Sequence, residues 1–142
     1  MKETIVKLLN QQDVDQIVQL TKLLNPTLPI SELASRQAKM FEFDNYLCFG
    51  LFDKKKLIGV SSGWVTVRLY SDKQLEIDNV IIDDSIQSNG YGQLFMNEIE
   101  SWAILNNCKT IELNTYVQND RSHKFYFNLG FSILGFHFHK QL

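Results

Sequence analysis

Between Leu75 and Trp102 the sequence changes its period once, and this change limits the fold more than any other feature of the chain. Leu75 to Asp83 is rich in branched residues, with Ile77, Val80, Ile81 and Ile82 suited to a pleated strand. Asp84 to Asn89 reads as a turn, followed by Gly90 and Gly92. From there Leu94, Phe95, Ile99, Trp102 and Ala103 recur at helical spacing. A strand feeding a glycine-bearing loop and then a helix turns free backbone N–H groups toward one point. That point carries the positive end of the helix dipole, so it suits a phosphate. Taken alone, such a loop is equally a tight turn.

The remaining elements follow from local pattern. Thr4–Leu9 alternates as a first strand, and Asp13 with Gln16 has the spacing of a capping box. Val14, Ile17, Val18, Thr21 and Leu24 form the buried stripe of the helix it opens, which Asn25-Pro26 ends. A second helix is predicted over about Glu32–Phe41, after Pro29 and Ser31. Tyr46–Phe52 and Leu57–Tyr70 should pair as a hairpin, with Gly59 and Gly63 marking bulges or close backbone approach. Ser71–Gln74 reads as a turn into the Leu75 strand. Beyond the helix at Tyr91–Leu105 come a strand at Thr110–Val117, a short helix from Asn119 or Asp120 to Leu129, and a last strand at Phe131–His139. Gly130 stands where a left-handed helix terminus belongs. The order predicts an α/β (α+β) fold, a mixed sheet with helices on both faces and a right-handed crossover at its centre.

Length and composition narrow the function classes. At 142 residues the chain is expected to form a single domain over 1–142. A formal net charge of -2 argues against a nucleic-acid partner, which needs a basic face. Cys48 and Cys108 fit neither a disulfide framework nor a metal pattern, as expected of reduced thiols in the cytoplasm. His137 and His139 share a strand face, but a zinc site needs more ligands, so no metal is expected. The opening MKETIVKLLN is too short an apolar run for a signal peptide, and no segment is long enough to span a bilayer.

Two motifs carry chemistry. The first is Gln87-Ser88-Asn89-Gly90-Tyr91-Gly92, continuing into Gln93. A dinucleotide fingerprint would need glycine where Phe95 stands, and a P-loop would need a lysine that is absent. The second runs from Asn119 through Ser122, Phe125, Tyr126 and Gly130 to Phe131. Together the two resemble the GNAT superfamily of acetyl-CoA-dependent N-acetyltransferases, over roughly Leu75–Phe131. The resemblance implies a mostly antiparallel sheet of six to seven strands with about four helices. It also implies that Gln87, Ser88, Asn89, Gly90, Tyr91, Gly92 and Gln93 hold the pyrophosphate of acetyl-CoA. Asn119, Ser122 and Phe125 would line the pantetheine arm, with Val80 and Ile82 bonding it through their backbone. One departure stands out: no Lys or Arg occurs from Gln74 through Cys108. Cofactor binding is therefore expected to be weaker than in relatives with an arginine in this loop, with Arg121 or Lys124 as the available cations.

The expected chemistry is transfer to an amine. An alkylammonium must lose a proton before it can attack. Glu76 and Asp78 lie two apart on one strand face and are the candidate bases, Asp78 resembling more closely the pattern of some amino-sugar acetyltransferases. A water relay is the alternative. Tyr126 is the candidate acid for the departing thiolate. The resemblance further implies an acceptor pocket walled by Leu24–Phe43 and the Leu57–Tyr70 strand, and a possible homodimer. The competing function is a catalytically silent acyl-CoA sensor.

Overall fold

A computed structural model describes residues 3–142; Met1 and Lys2 of the opening run lie outside them. The elements in chain order are β1 (Thr4–Leu8), α1 (Val14–Thr21), α2 (Ile30–Phe41), β2 (Tyr46–Asp53), β3 (Lys56–Arg68), β4 (Asp72–Ile82), α3 (Tyr91–Leu105), β5 (Thr110–Leu113) and α4 (Asp120–Asn128). One five-stranded sheet runs β1-β2-β3-β4-β5, with the first three pairings antiparallel. Five strands replace the expected six to seven. Thr110–Val117 shortens to four residues, and Phe131–His139 forms no strand. An isolated apolar run has the right side chains for a strand, but only a partner's ladder turns it into one.

β3 and β4 form a long hairpin whose second strand begins at Asp72, inside the expected Ser71–Gln74 turn and three residues before Leu75; Asp72 takes φ +61°, which helps the chain reverse early. Its register is interrupted once. Ser62 pairs with Asn79 and Gly63 with Ile77, so Asp78 is the extra residue of a β-bulge. Gly63 permits the close approach: a Cβ there would stand 2.7 Å from the Glu76 carbonyl oxygen. Nothing about branched residues announces a bulge at Asp78, which breaks the simple alternation that puts Glu76 and Asp78 in step.

Helices cover both faces of the sheet in the first of two compact units, Met1–Glu112. Ile17 and Leu20 of α1 join Tyr46, Cys48, Val60 and Ile81 in one core cluster. Phe49, the neighbour of Cys48 and so on the opposite face, meets Trp102 of α3 with ring centroids 5.3 Å apart. On that side α3 buries Phe95, Met96, Ile99 and Ala103. The capping box falls one turn earlier than predicted: Asn10 and Asp13 bond each other's backbone around a 3-10 turn, and Asp13 itself makes no side-chain cap. The second unit, Leu113–Leu142, contains α4. There Gly130 (φ +90°) ends the helix in a Schellman motif. Gly130 N–H donates to Phe127 C=O at 3.1 Å and Phe131 N–H to Tyr126 C=O at 3.0 Å. No described helix is long and apolar enough to cross a membrane.

Candidate active site

The site is built on the second half of β4. β5 has four residues against the eleven of β4, and Lys109 N–H donates to Lys73 C=O at 2.7 Å, setting start beside start. The stretch from Asp78 to Ile82 therefore runs past the end of β5 with β3 on one flank. Asp83 N–H turns toward β3, donating to Ile58 C=O at 2.8 Å. Successive residues of an extended strand point their backbone groups to alternate sides. Ile82 and Val80 thus direct theirs away from β3, along an edge with no strand partner among the described residues, a geometry suited to an extended ligand.

The loop after β4 is braced from within. The Asp83 carboxylate accepts from Ser85 Oγ at 2.8 Å and Ser85 N at 3.0 Å, and Lys56 Nζ lies 3.4 Å away. These bonds, the Ser85 hydroxyl's foremost, hold its carboxyl below the usual carboxylate range. Gln87 Nε2 donates to Ile82 C=O at 3.1 Å and Asn89 Nδ2 to Ile86 C=O at 3.0 Å. Both side chains hold the loop's own backbone, and Gln87 occupies one acceptor site on the Ile82 carbonyl. Ser88 (φ +68°) and Gly90 (φ +84°) make the left-handed bends that swing the chain into α3.

What the loop leaves open is the helix mouth. Leu94 N–H donates to Gly90 C=O at 3.1 Å, the first bond of the helix ladder. The N–H groups of Tyr91, Gly92 and Gln93 ahead of it have no acceptor among the described residues. Gly90 has no side chain with which to cap them, and the first turn carries no acid. Three amides at a helix N-terminus form a ready anion site. An open hollow of about 410 Å³ adjoins it, lined by Gly90, Gln93, Leu94, Asn97 and Glu98.

At the other end of this edge sits the bulge carboxylate. Trp64 Nε1 donates to Asp78 Oδ2 at 2.8 Å. Burial pushes the Asp78 carboxyl above its ordinary value; the indole bond opposes this and the neighbouring Glu76 charge adds to it. Glu76 is itself paired with Arg68 at 3.3 Å. Around Trp64 stand aromatic rings from the expected pocket walls: Tyr46 at 4.8 Å and the exposed Phe43 at 5.4 Å between centroids, with Phe41 on Tyr46 at 5.3 Å. An aromatic wall beside a carboxylate has the chemistry of a cation site. Tyr46 and Cys48 belong to its buried floor, where burial raises both groups, the Cys48 thiol to about 12. That thiol is therefore inert at neutral pH.

The second unit holds the remaining expected residues. Asn119 Oδ1 accepts from Ser122 N–H at 3.2 Å, so Asn119 caps α4. Tyr126 packs edge-on between Phe125 and Phe131, at 5.1 and 5.6 Å between centroids. Burial raises its phenol, and its hydroxyl makes no hydrogen bond among the described residues.

Two contributors escaped the sequence. Trp64 lies on the strand expected to wall the acceptor pocket, but its bond to Asp78 depends on a bulge that shifts the β3–β4 register. Lys56 lies far from the loop in sequence, yet the β2–β3 turn brings it to Asp83. Lys55 and Lys56 line an open hollow of about 540 Å³ together with Gln16, Gln19 and Asp84. The loop that lacks its own cations thus has one at its base.

Comparison with known proteins identifies the family and the fold. The acetyltransferase (GNAT) family profile matches residues 17–131, crossing from the first compact unit into the second. Among curated proteins none matches significantly by sequence. Among solved structures, the chain is similar to the aminoglycoside N-acetyltransferase AAC(6')-Iy in complex with CoA, with TM-score 0.82 and 15% identity over 98% of this chain and 94% of that one. A GNAT family acetyltransferase from Staphylococcus aureus gives TM-score 0.80 and 24% identity over 99% of both chains. An aminoglycoside acetyltransferase from an uncultured soil metagenomic sample, in complex with sisomicin, gives 0.81 and 16%, over 99% of this chain and 97% of that one. At these identities the structures speak for the fold, while the profile spans most of the chain: it belongs to the acetyltransferase (GNAT) family, whose acetyl donor is acetyl-CoA.

Proposed function

We propose that the chain acetylates a primary amine, on a small cationic molecule or a protein, by direct attack of the amine on the acetyl-CoA thioester. The observation that carries this is the layout of one strand, with an anion-ready helix mouth beyond its end and a carboxylate bonded by the Trp64 indole at its bulge. When bound, acetyl-CoA supplies the activated acyl group. The amides of Tyr91, Gly92 and Gln93 take its diphosphate, and the outward backbone groups of Val80 and Ile82 align its amide-bearing arm. Asp78 accepts the proton of the ammonium, a task its raised pKa favours, since a base nearer neutrality is stronger. The nitrogen–carbon bond forms, the carbon–sulfur bond breaks, and Tyr126 donates a proton to the sulfur; the second proton shed by the nitrogen restores the Tyr126 phenol through water, and Asp78 releases its own to solvent. Glu76, engaged with Arg68, shapes the local field in this scheme and leaves the proton transfer to Asp78.

Trp64, Phe43 and the two acids favour a cationic acceptor such as a polyamine, an aminoglycoside or a lysine side chain. The two compact units are read together as one acetyltransferase domain in the cytoplasm, without nucleic-acid or membrane partners and pairing with a second copy. The test is thiol release from acetyl-CoA across a panel of such amines. Turnover with one class and none with neutral alcohols supports the proposal. CoA binding with no turnover on any amine would favour the silent sensor instead.

A further inference from the structure

From Leu57 to Trp64 the middle of β3 is apolar except for two neighbouring hydroxyls, Ser61 and Ser62, which are 0% and 3% exposed. A buried hydroxyl costs stability unless it is hydrogen-bonded. Adjacent residues of a strand point to opposite faces. Ser61 stands opposite Phe49, on the α3 face, and Ser62 opposite Cys48, on the α1 face. Both hydroxyls nonetheless reach one residue. Ser61 Oγ donates to Asn79 C=O at 2.7 Å, and Ser62 Oγ lies 3.5 Å from Asn79 Oδ1, a longer and weaker contact. Asn79 follows Asp78 directly, and the register shift falls between Ser62 and Gly63. The strand is therefore fastened beside its bulge from both faces.

Behind Ser62 the bonding continues into α2. The buried Tyr46 hydroxyl accepts from Gln37 Nε2 at 2.8 Å and bonds the Ser62 side chain as well. One orientation satisfies every member: the Gln37 amide donates to Tyr46, the Tyr46 hydroxyl to Ser62, and the Ser62 hydroxyl to Asn79. Gln37 lies in the segment expected to wall the acceptor pocket, so the chain of bonds ties that wall to the strand of Asp78. A bulge interrupts the ladder and leaves its extra residue unpaired, so nothing in the sheet itself fixes where Asp78 points. We propose that Ser61 and Ser62, with Tyr46 and Gln37 behind them, are positioning residues that hold Asn79 and thereby aim the Asp78 carboxylate at the Trp64 indole and the incoming amine. This role presupposes that Asp78 is the base proposed above, and the two are tested apart.

The chain has two tryptophans, so NMR reads two indole N–H groups: Trp64, bonded to Asp78, and Trp102 on α3 as internal reference. Ser61→Ala is the decisive variant, because Ser61 faces away from Trp64 and acts on it through Asn79. In Ser61→Ala, and more so in Ser61→Ala/Ser62→Ala, the Trp64 indole should exchange with water severalfold faster, with the Trp102 rate unchanged. With the amine that turns over in the panel, kcat should fall about tenfold while KM for acetyl-CoA stays the same. A Trp64 rate unmoved in both variants overturns the proposal, because the bulge then keeps its place without the serines. Equal quickening at both indoles overturns it too, since the whole domain has then loosened, and so does an unchanged kcat. Undiminished turnover in Asp78→Asn is the separate mark of the other failure: it removes the base, and with it this role, even where the Trp64 rate responds.

Discussion

Trp64 and Asp78, fourteen positions apart, meet at 2.8 Å because a single bulge moves Asp78 out of register with β3. The indole N–H is the one group on Asp78 that favours its charged form; burial and Glu76 both oppose it. If Asp78 is the base, kcat/KM falls as pH drops through its pKa, with the midpoint above the ordinary carboxylate value of about 4. Trp64→Phe keeps the ring and removes the donor. The acidic limb should then move to higher pH, measured as kcat/KM against pH. A limb that stays put, or moves down, separates Asp78 from the proton transfer.

Gly63 is where the bulge tolerates no added atom. Its Cβ would lie 2.7 Å from backbone that cannot swing aside as a side chain can. Gly63→Ala should cost roughly 1–3 kcal/mol, the usual range for overpacking. It should also lower kcat by re-aiming Asp78. Thermal denaturation together with steady-state kinetics checks both, and an unchanged melting temperature would mean that the strands part here without penalty.

Asp83 braces the loop through Ser85 and Lys56. Its folded-state pKa is depressed, so its contribution to stability is complete above the unfolded carboxylate pKa and is lost as pH falls through the folded value. Asp83→Ala should lose about 1 kcal/mol near neutrality, the worth of a capping side chain, and raise KM for acetyl-CoA. The difference in melting temperature between variant and wild type should shrink below about pH 4. A difference that persists at lower pH would assign the effect to packing rather than charge.

Tyr126 is held edge-on by two phenylalanines with its hydroxyl unengaged, and burial keeps the phenol protonated at neutral pH. Tyr126→Phe preserves that packing. Turnover should fall tenfold or more with KM for acetyl-CoA unchanged. Undiminished turnover would remove Tyr126 from the chemistry.

The strand–loop–helix around Gly90 was legible because three local signals agree there: branched residues, paired glycines and a switch to helical spacing. Gly130 was legible for a similar reason, since a left-handed terminus has few other solutions. The Trp64 bond and the Lys56 contact were not, because both depend on which residues face each other across a hairpin. One extra residue changes that register without altering composition. Gln87 and Asn89 fit a ligand-binding motif by type, yet their amides bind the loop that carries them. The Phe131–His139 strand failed differently: its pattern is present, but no described residue pairs with it.

Everything in the proposed transfer depends on three amides gripping a diphosphate without an arginine of their own. At 16.5 kDa the chain suits amide-resolved NMR, and titration with CoA reads those groups directly. The largest shifts should fall on Tyr91, Gly92 and Gln93, saturating at sub-millimolar to millimolar ligand and weakening as salt is added. If those three amides stay still at millimolar CoA while the rest of the spectrum is that of a folded protein, the helix mouth is not the cofactor's anchor and the assignment of this site is wrong.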